Sequence, residues 1–371
     1  MLRLCSLQQF IAKSIESDQI ICFGAGKNIN LLAKLFANTK VWNRIEYIID
    51  NDKEKQNTRL TIGKNEFKIV SLDKIKSEQD EKLSIVITCA KYEDIVEQII
   101  HIDTFKNADL YSLAYMYDLS REEDALKKVV PINLKLNVDP LIPKIIHYCW
   151  FGGKKLPDRY KIWIESWHKF CPDYDIIEWN ENNYDVTKNI YMRQAYESKK
   201  WGFVPDYARL DIIYNYGGIY LDTDVELIQN IDDLLYQKGF AGFESKESVN
   251  LGSGFGAVKG LPIIKKMLDL YDNMRFIEKN GNLNLIASPI WQTQVLKEFG
   301  LRTNGEYQNI EGLTIYPEKV LNGKNLFTRR VILKPYTKAI HHFDGSWLDE
   351  EEKHRIWKKE KRYNENPLKG A

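Results

Sequence analysis

Two aspartates near the middle of the chain follow a short apolar run. Asp222 and Asp224 come directly after Ile219-Tyr220-Leu221, which is too short and too apolar for an exposed helix and is interpreted as a buried strand. Residues two apart in a strand point to the same side, so the two carboxylates reach one small volume. Like charges that close tend to keep a proton unless a cation lies between them. The pair predicts a site for magnesium, manganese or calcium rather than zinc, with open positions for phosphate oxygens.

A short helix before this strand carries a second pair of charges. Pro205 suits the first helical turn, and Gly217-Gly218 provides a helix stop. Asp206 and Arg209 lie three residues apart, so they share one face of that helix. Two interpretations stay open for this pair: groups that orient a ligand beside the carboxylates, or a plain surface ion pair.

The whole stretch resembles the donor-binding core of glycosyltransferase family 32. That family includes bacterial capsular-polysaccharide sugar transferases and yeast α-mannosyltransferases, and the layout also looks like the glucosyltransferase domains of the large clostridial toxins. A lone Asp-x-Asp occurs by chance in many proteins, so the resemblance rests on a combination. Its members are Asp206, Arg209, the Gly217-Gly218 stop, Tyr220, Asp222 and Asp224.

The resemblance implies a metal-dependent, retaining transferase that moves a sugar from a UDP- or GDP-sugar to a saccharide or lipid-linked saccharide acceptor. It implies that Asp224, with Asp222 bound directly or through water, anchors Mn²⁺ or Mg²⁺ on the donor diphosphate. Arg209 and Asp206 would orient the donor sugar and ribose, and Tyr220 would shape the nucleoside pocket. Bacterial surface or capsular polysaccharide synthesis is the implied setting.

Further donor contacts are implied at two other stretches. An apolar strand that starts near Ile142 runs into Gly152-Gly153, and its end is expected over the base and ribose. A core strand with a buried aromatic residue stays an open alternative for this stretch. A glycine-rich stretch near residue 250 is expected beside the transferred sugar. The donor-binding residues implied there are His147, Trp150, Phe151, Gly152, Glu244 and Asn250.

Paired histidines, His341-His342, precede Ser346-Trp347 in a motif similar to the one that closes the family's domain. The similarity implies that a late histidine completes the metal shell and that Ser346 and Trp347 contact the diphosphate. His342 is preferred over His341 as the third ligand, and a purely structural histidine stays an open alternative. The basic tail at 350–363 predicts either peripheral contact with an anionic membrane or an ordinary solvated helix.

The N-terminal region predicts a strand–turn–helix–strand unit with Gly24 and Gly26 in the turn. Asp50 ends the second strand, near the spacing of a dinucleotide-binding fingerprint, but Ile29 stands at the third glycine position. The segment looks like the Rossmann-like domains attached to some bacterial sugar-modifying enzymes. Two interpretations stay open: a nucleotide or nucleotide-sugar site at Gly24, Gly26 and Asp50, or a tight turn in a domain that binds nothing or binds a partner chain.

We expect an α/β protein with a Rossmann-like domain (1–118), a linker (119–142) and a GT-A type glycosyltransferase domain with a mixed central sheet (143–371). The net charge of +1 predicts no nucleic-acid partner. The five scattered cysteines form no C-x-x-C pair, which favours a reducing compartment. With no signal peptide and no apolar run near the length of a membrane span, we expect a cytoplasmic location, with membrane association through the basic tail left open.

Two other functions compete with the transferase. A strand that ends in Asp-x-Asp also marks phosphatases with an aspartate nucleophile, although here Glu226 holds the fifth position and the pair lies deep inside its domain. A non-catalytic nucleotide-binding or scaffolding protein would rest on the N-terminal turn alone. Neither alternative explains why Asp206, Arg209 and Tyr220 occur together with the pair.

Overall fold

Two units make up the part of the chain that the structure describes. The structure is a computed structural model, and it describes residues 2–15, 19–77, 83–89, 92–131, 139–345 and 348–365. The first unit takes in residues 1–123 and 361–371, and the second takes in residues 124–360. The helices Leu113–Leu126 and Glu350–Glu365 both cross this division. The predicted boundaries at 118 and 142 stay predictions.

A mainly parallel sheet forms the centre of the first unit. Its strands are β1 Leu2–Arg3, β2 Gln19–Phe23, β3 Ile45–Ile49, β4 Arg59–Ile62, β5 Asn65–Val70, β6 Leu83–Ile87 and β7 Asp109–Ser112. They pair in the order β1-β7-β6-β2-β3-β5-β4, and β4 runs antiparallel to β5. The helices of this part of the chain are α1 Leu7–Ser14, α2 Leu31–Phe36, α3 Tyr92–Ile100 and α4 Leu113–Leu126.

Both faces of this sheet are covered. In β2, Ile20 belongs to one apolar cluster with Phe10 of α1, whereas Ile21 belongs to another with Tyr92 of α3. Burial on both faces explains why these strands read as continuous apolar runs. Numbered along the chain, the parallel strands β2, β3, β5, β6 and β7 follow the order 3-2-1-4-5, which is the order of doubly wound nucleotide-binding sheets.

The carboxylate of Asp50, at the end of β3, closes over the glycine turn that follows β2. Its Oδ2 accepts the N–H of Ala25 at 2.6 Å, and its Oδ1 accepts the N–H of Asp52 at 2.8 Å. A ribose hydroxyl would have to compete with these backbone donors. The contacts favour the structural alternative for the turn, and a nucleotide site at Gly24, Gly26 and Asp50 stays a prediction.

The two glycines of this turn differ in what they tolerate. Gly24 has a φ of +111°, and a Cβ there would lie 2.9 Å from Thr88 Oγ1, whereas a Cβ on Gly26 would meet no described atom within 4 Å. We expect Gly24→Ala to lower the free energy of unfolding by about 1–3 kcal/mol, because alanine is strained at positive φ. Gly26→Ala should change it by less than about 1 kcal/mol. Urea unfolding of both variants measures this, and equal losses would contradict it.

A mixed sheet forms the centre of the second unit. Its strands, with a separate two-stranded ladder, are β8 Ile145–Cys149, β9 Asp175–Trp179, β10 Gly218–Tyr220, β11 Val225–Leu227, β12 Gly239–Ser245, β13 Ser248–Asn250, β14 Phe255–Ala257, β15 Gln308–Ile310, β16 Leu313–Tyr316 and β17 Ala339–His341. The helices are α5 Asp158–Phe170, α6 Ile190–Glu197, α7 Pro205–Tyr216, α8 Pro262–Asn273, α9 Ser288–Glu298, α10 Glu318–Leu321 and α11 Glu350–Glu365. Short 3₁₀ helices across the chain are Lys27–Asn30, Lys40–Arg44, Leu72–Ser77, Asp103–Phe105 and Asp232–Leu234.

The sheet order is β15-β16-β12-β14-β10-β8-β9, with β13 paired on β12. Strands β9 and β10 run parallel to β8, and β16 runs parallel to β12. Strand β14 is antiparallel to both β10 and β12. The prediction of an α/β fold with a mixed central sheet in the second domain is confirmed.

The strands β11 and β17 form the separate ladder, and it brings a late segment of the chain to the end of β10. Val225 pairs with His341, and Leu227 pairs with Ala339. The Nε1–H of Trp167, from α5, donates to the carbonyl of Val225 at 2.9 Å. Because Asp224 directly precedes β11, this pairing places the end of β17 next to Asp224.

Candidate active site

Asp222, Asp224 and His341 converge on one small volume. Asp222 follows β10, Asp224 precedes β11, and His341 ends β17. One ligand atom from each of the three lies within 4.8 Å of the others. Two carboxylates and one imidazole, with room left for other ligands, fit a divalent ion such as Mn²⁺ or Mg²⁺. Among the described residues, this group is the candidate metal centre.

His341 is held from three sides. Its Nε2 lies 3.2 Å from Asp224 Oδ1, and its Nδ1 lies 3.0 Å from Ser253 Oγ. The ring of Phe343 packs on it with centroids 4.2 Å apart. Burial lowers the pKa of His341, but its interactions with Asp224, Asp222 and Glu244 together outweigh this, and the pKa is raised. The sequence offered Ser253 only as part of a glycine-rich stretch, so its contact with His341 was missed.

Asp224 is the most strongly held carboxylate of the group. Its Oδ2 accepts the backbone N–H of Asp344 at 2.9 Å, and its own carbonyl accepts the N–H of His342 at 2.9 Å. Burial alone would raise the pKa of Asp224, but His341 and the N–H of Asp344 hold that pKa at about 2. This carboxylate is therefore ionised and available as an anionic ligand.

His342 does not take the place that the sequence suggested. Its Nε2 lies 2.9 Å from Glu226 Oε2, and its ring stacks on Trp163 with centroids 4.3 Å apart and an angle of 14°. The choice of His342 as third ligand is therefore corrected to His341. Adjacent residues at a strand end point to opposite sides, and only the pairing of β17 with β11 decides which of them faces Asp224.

Helix α7 carries Asp206 and Arg209 into the interior, where each is 4% exposed. The Arg209 guanidinium bridges two acids, with Nη2 3.1 Å from Asp206 Oδ1 and 3.4 Å from Asp222 Oδ1. Burial raises the pKa of Asp206 to about 6 in spite of the neighbouring cation. Burial lowers the pKa of Arg209, but the charge of Asp222 together with the effects of Tyr220, Asp206 and Tyr271 outweighs it, and the pKa is raised. The alternative of a plain surface ion pair does not fit this geometry.

Tyr220 connects the same network to the sheet. Its hydroxyl donates to Asp222 Oδ1 at 3.0 Å, and the Arg209 guanidinium carbon lies 5.3 Å from the centroid of its ring. Tyr220 is 1% exposed. The Tyr220 hydroxyl therefore orients the Asp222 carboxylate. A contact of Tyr220 with the nucleoside stays a prediction.

Gly252 makes room for these groups. Its carbonyl accepts the N–H of Asp222 at 3.1 Å, and its N–H donates to Asn250 Oδ1 at 2.7 Å. A Cβ on Gly252 would collide with Asp222 Oδ2 and would lie 3.1 Å from Arg209 Nη1. A side chain at this position would displace the carboxylate, so the backbone approach depends on glycine.

Glu244 and Asn250 lie together next to this glycine. Asn250 Nδ2 donates to Glu244 Oε2 at 2.9 Å, and the Ser248 hydroxyl donates to Glu244 Oε1 at 2.9 Å. Both residues are buried, and burial raises the pKa of Glu244. The structure thus brings the two predicted sugar contacts into one polar cluster beside Asp222.

Helix α9 supplies groups that the sequence did not predict as site residues. Ser288, at its start, hydrogen-bonds with the Asp206 carboxylate, which lowers the pKa of that group against the effect of burial. Gln292 accepts the N–H of Leu251 at 3.1 Å through Oε1, and its Nε2 has no hydrogen-bond partner among the described residues. A free amide donor in a buried side chain beside Asn250 suits a sugar hydroxyl.

His147 is a structural residue in this fold, which corrects its predicted contact with the nucleoside. It is 1% exposed, its Nδ1 accepts from Trp179 Nε1 at 3.1 Å, and its Nε2 lies 3.0 Å from the carbonyl of Gly217. Because Nδ1 accepts, Nε2 carries the proton and donates to Gly217. Burial lowers the pKa of His147 to about 4.

A neutral buried histidine makes stability depend on pH. The unfolded chain binds a proton at His147 below about pH 6.5 and the folded protein does not, so stability should be lost as the pH falls from about 6.5 toward 4. The loss attributable to this group should reach about 3 kcal/mol. In His147→Gln this part of the slope should disappear. Urea unfolding from pH 7.5 to 4 measures the difference, and identical slopes for both proteins would contradict it.

The other predicted contact residues after β8 include one core residue and one residue that is still a candidate for ligand contact. Phe151 is a core residue, 5% exposed, which corrects its predicted ligand contact. Gly152 has a φ of +99° and lies against the Trp201 ring, and its N–H donates to Glu181. Trp150 is half-buried and donates through Nε1 to the carbonyl of Lys154 at 2.6 Å. Trp150 thus stays a candidate for the nucleoside contact.

Ser346 and Trp347 lie outside the described residues, so their contact with a diphosphate stays a prediction. The residues just before them are described. The Asp344 carboxylate pairs with Arg159 at 2.6 Å and also accepts from the Tyr160 hydroxyl. These contacts fix the turn that follows β17 against α5.

Part of the second unit is similar to known proteins. Residues 157–241 match the family model described as "Glycosyltransferase sugar-binding region containing DXD motif". That segment runs from α5 to β12 and contains α7, Asp222 and Asp224. The matched segment thus contains the helix and the Asp-x-Asp pair on which the predicted resemblance to a glycosyltransferase rests.

Curated relatives match a similar part of the chain. "Inositol phosphoceramide mannosyltransferase 3" of Schizosaccharomyces pombe is 26% identical over 163 residues, 43% of this chain and 44% of that protein. "Mannosyl phosphorylinositol ceramide synthase SUR1" of Saccharomyces cerevisiae is 31% identical over 144 residues, 37% of each chain. The chain thus spans less than half the length of these two relatives.

Among solved structures, "PaToxG Glycosyltransferase" is 21% identical and aligns with 49% of this chain and 76% of its own, at a TM-score of 0.34. A TM-score this low does not establish a shared fold. In the described part of the chain, the helices are all too short or too polar to span a bilayer.

Proposed function

We propose that the chain is a metal-dependent glycosyltransferase that moves a hexosyl group from a nucleotide sugar to a saccharide or lipid-linked saccharide acceptor. The observation that carries this is the convergence of Asp222, Asp224 and His341, with Arg209 linking Asp222 to Asp206 behind them. The match of residues 157–241 to a DXD glycosyltransferase family supports it.

Asp222, Asp224 and His341 would hold Mn²⁺ or Mg²⁺. When bound, the ion would neutralise charge that develops on the leaving diphosphate. The residues of the chain supply the rest. Arg209 fixes the Asp222 carboxylate with its guanidinium, and Asp206 fixes Arg209, so the site is preorganised before the donor binds.

The polar cluster beside Gly252 would read the transferred sugar. Glu244 offers carboxylate acceptors, and the amides of Asn250 and Gln292 offer donors to sugar hydroxyls. Trp150 would meet the nucleoside at the end of β8. Retention of the anomeric configuration, with an α-linked product, belongs to this proposal through the family resemblance.

The names of the curated relatives favour a mannosyl donor and an acceptor with a phosphoinositol headgroup on a lipid. Synthesis of a bacterial surface or capsular polysaccharide, the setting that the sequence suggested, stays a second proposal for the acceptor. A cytoplasmic location with peripheral membrane contact through the basic helix α11 is part of the same proposal.

The competing functions explain less of the geometry. An aspartate nucleophile must approach a phosphate freely, whereas Asp222 is engaged by Arg209 and by the Tyr220 hydroxyl. A nucleotide-binding scaffold would need the turn in the first unit, where Asp50 already accepts two backbone N–H groups.

Release of nucleoside diphosphate tests the proposal. Purified protein is incubated with Mn²⁺ and a panel of UDP- and GDP-sugars, with GDP-mannose included because of the relatives. We expect slow hydrolysis of one donor, faster turnover when acceptor is added, and loss of both on chelation with EDTA. No turnover of any donor, together with no metal-dependent donor binding, would refute the proposal.

A further inference from the structure

Arg329 grips the turn that follows β17. Its Nη2 donates to the carbonyls of His342 and Phe343 at 3.2 and 2.8 Å. Its guanidinium carbon lies 5.5 Å from the centroid of the Phe343 ring. The side chain is buried, at 9% exposure. One guanidinium therefore fixes both the backbone and the ring of this turn.

The gripped turn is strained. Phe343 has a φ of +52° and Arg329 itself has a φ of +59°, and neither residue is glycine. Non-glycine residues stay in this conformation only where the surrounding contacts force it, and such residues concentrate at functional sites. The hydrogen bonds from the Arg329 guanidinium to the His342 and Phe343 carbonyls help to hold the turn in this conformation.

The Phe343 ring connects the turn to the candidate metal centre through its contact with His341. It packs on the His341 ring with centroids 4.2 Å apart, and His341 Nε2 lies 3.2 Å from Asp224 Oδ1. The next residue, Asp344, donates its N–H to Asp224 Oδ2 at 2.9 Å. Of the two groups that orient the Asp224 carboxylate, Asp344 thus belongs to the turn that Arg329 holds, and His341 packs against the ring of that turn.

Helix α11 places a carboxylate, Glu360, next to Arg329 and Lys324. Glu360 Oε1 lies 2.8 Å from Lys324 Nζ, and Glu360 Oε2 lies 3.8 Å from Arg329 Nε. Lys324 and Arg329 are 8% and 9% exposed, so an uncompensated pair of cations here would be costly. Glu360 supplies one negative charge to this pair of cations, and it lies within ion-pair distance of Arg329 Nε, away from the nitrogen that contacts the turn.

We propose that Arg329 is a positioning residue for the metal-binding site, and that Glu360 of α11 holds it in place. The proposal rests on the proposed function, because it concerns the affinity of the same Asp222, Asp224 and His341 group for its ion. The contacts of Arg329 are with the turn and with Glu360, and we expect none with the metal or the donor. It acts by fixing the turn that orients His341 and Asp224.

The test is Mn²⁺ binding by isothermal titration calorimetry, with nucleoside diphosphate present, on the full chain. In Arg329→Lys the charge remains but the planar fork is lost, and in Arg329→Met both are lost. We expect the Mn²⁺ dissociation constant to rise about 10- to 100-fold in both variants, the range seen when groups that orient metal ligands are removed. Glu360→Gln should raise it by about 3- to 10-fold, because the fork stays and only its anchor weakens.

A second readout separates positioning from a general loss of structure. In donor hydrolysis, saturating Mn²⁺ should restore most of kcat in Arg329→Lys while the Mn²⁺ concentration for half-maximal rate stays raised. Glu351→Gln is the matched control on the same helix, since Glu351 is 83% exposed in its pair with Arg355. It should bind Mn²⁺ as wild type does.

Wild-type Mn²⁺ affinity in the folded Arg329 variants would overturn the proposal and leave the proposed function standing. If those variants do not fold, Glu360→Gln decides in the same way. A wild-type protein that binds no Mn²⁺ with any nucleoside diphosphate would instead refute the proposed function itself.

Discussion

Asp224→Asn should lower the rate of nucleoside diphosphate release by about 10³-fold or more, because a metal ion contributes several kcal/mol to stabilising charge on a leaving group. Asparagine has the same shape and still accepts the N–H of Asp344 through Oδ1, so the turn after β17 should stay in place. What is lost is the anionic ligand whose pKa is held at about 2 in the folded protein. The measurement is kcat/KM for the best donor at saturating Mn²⁺.

Asp173→Asn is the matched control for that variant. Asp173 is 58% exposed and pairs with Lys144 at 2.6 Å on the surface. It should turn over the donor at the wild-type rate. If Asp224→Asn stays within tenfold of wild type while the melting temperatures of both variants are unchanged, Asp224 is not the metal anchor.

Arg209→Met should lower the free energy of unfolding by about 3–5 kcal/mol, the usual cost of removing one partner from a buried ion pair. Two carboxylates depend on this guanidinium, Asp206 at 3.1 Å and Asp222 at 3.4 Å. Without the guanidinium, Asp206, which is only 4% exposed, must either keep a proton or remain buried as an unpaired charge. Urea unfolding at pH 7.5 measures the loss.

Adding Asp206→Asn to Arg209→Met should return part of that loss, because the second change removes the orphaned carboxylate. A double-mutant cycle should show a coupling of at least about 1 kcal/mol. Lys161 and Asp158 form an exposed pair with the same three-residue spacing, 2.7 Å apart, and Lys161→Met should cost less than about 0.5 kcal/mol. Additive effects of the two buried changes would show that Asp206 and Arg209 do not act as a unit.

The chemistry of the central stretch could be read from the sequence because its signals are local. The helix stop at Gly217-Gly218, the buried strand and the two-residue spacing of Asp222 and Asp224 all involve neighbours in the chain. The structure keeps each of them, with α7 ending at Tyr216 and β10 starting at Gly218. The α/β class followed from the same kind of pattern, alternating apolar strands with amphipathic helices.

The predictions that were wrong concern residues whose surroundings are set by distant parts of the chain. The choice between His341 and His342 depends on the pairing of Val225 with His341, which joins segments far apart in the chain. The burial of His147 depends on Trp179 and on the Gly217 carbonyl, neither of which is near it in sequence. Which side a residue faces is decided by its strand partner, and no local pattern carries that information.

The N-terminal turn shows a third case. The spacing from Gly26 to Asp50 resembles that of a nucleotide-binding unit, and the strand order agrees with it. The same spacing also lets the Asp50 carboxylate fold back onto the N–H of Ala25 at 2.6 Å. A pattern of residue types predicts which groups are near one another but does not decide whether they bind a ligand or each other.

The ladder between β11 and β17 also bears on how the protein is made. The N–H of Asp344 and the carboxylate of Asp224 that accepts it are 120 residues apart. At synthesis rates of about 5–20 residues per second, the ribosome releases Asp224 roughly 6 to 24 s before Asp344. During that interval Asp224 lacks both the N–H of Asp344 and the imidazole of His341, and a nascent chain halted before Ala339 contains the whole DXD region without the strand that pairs beside it.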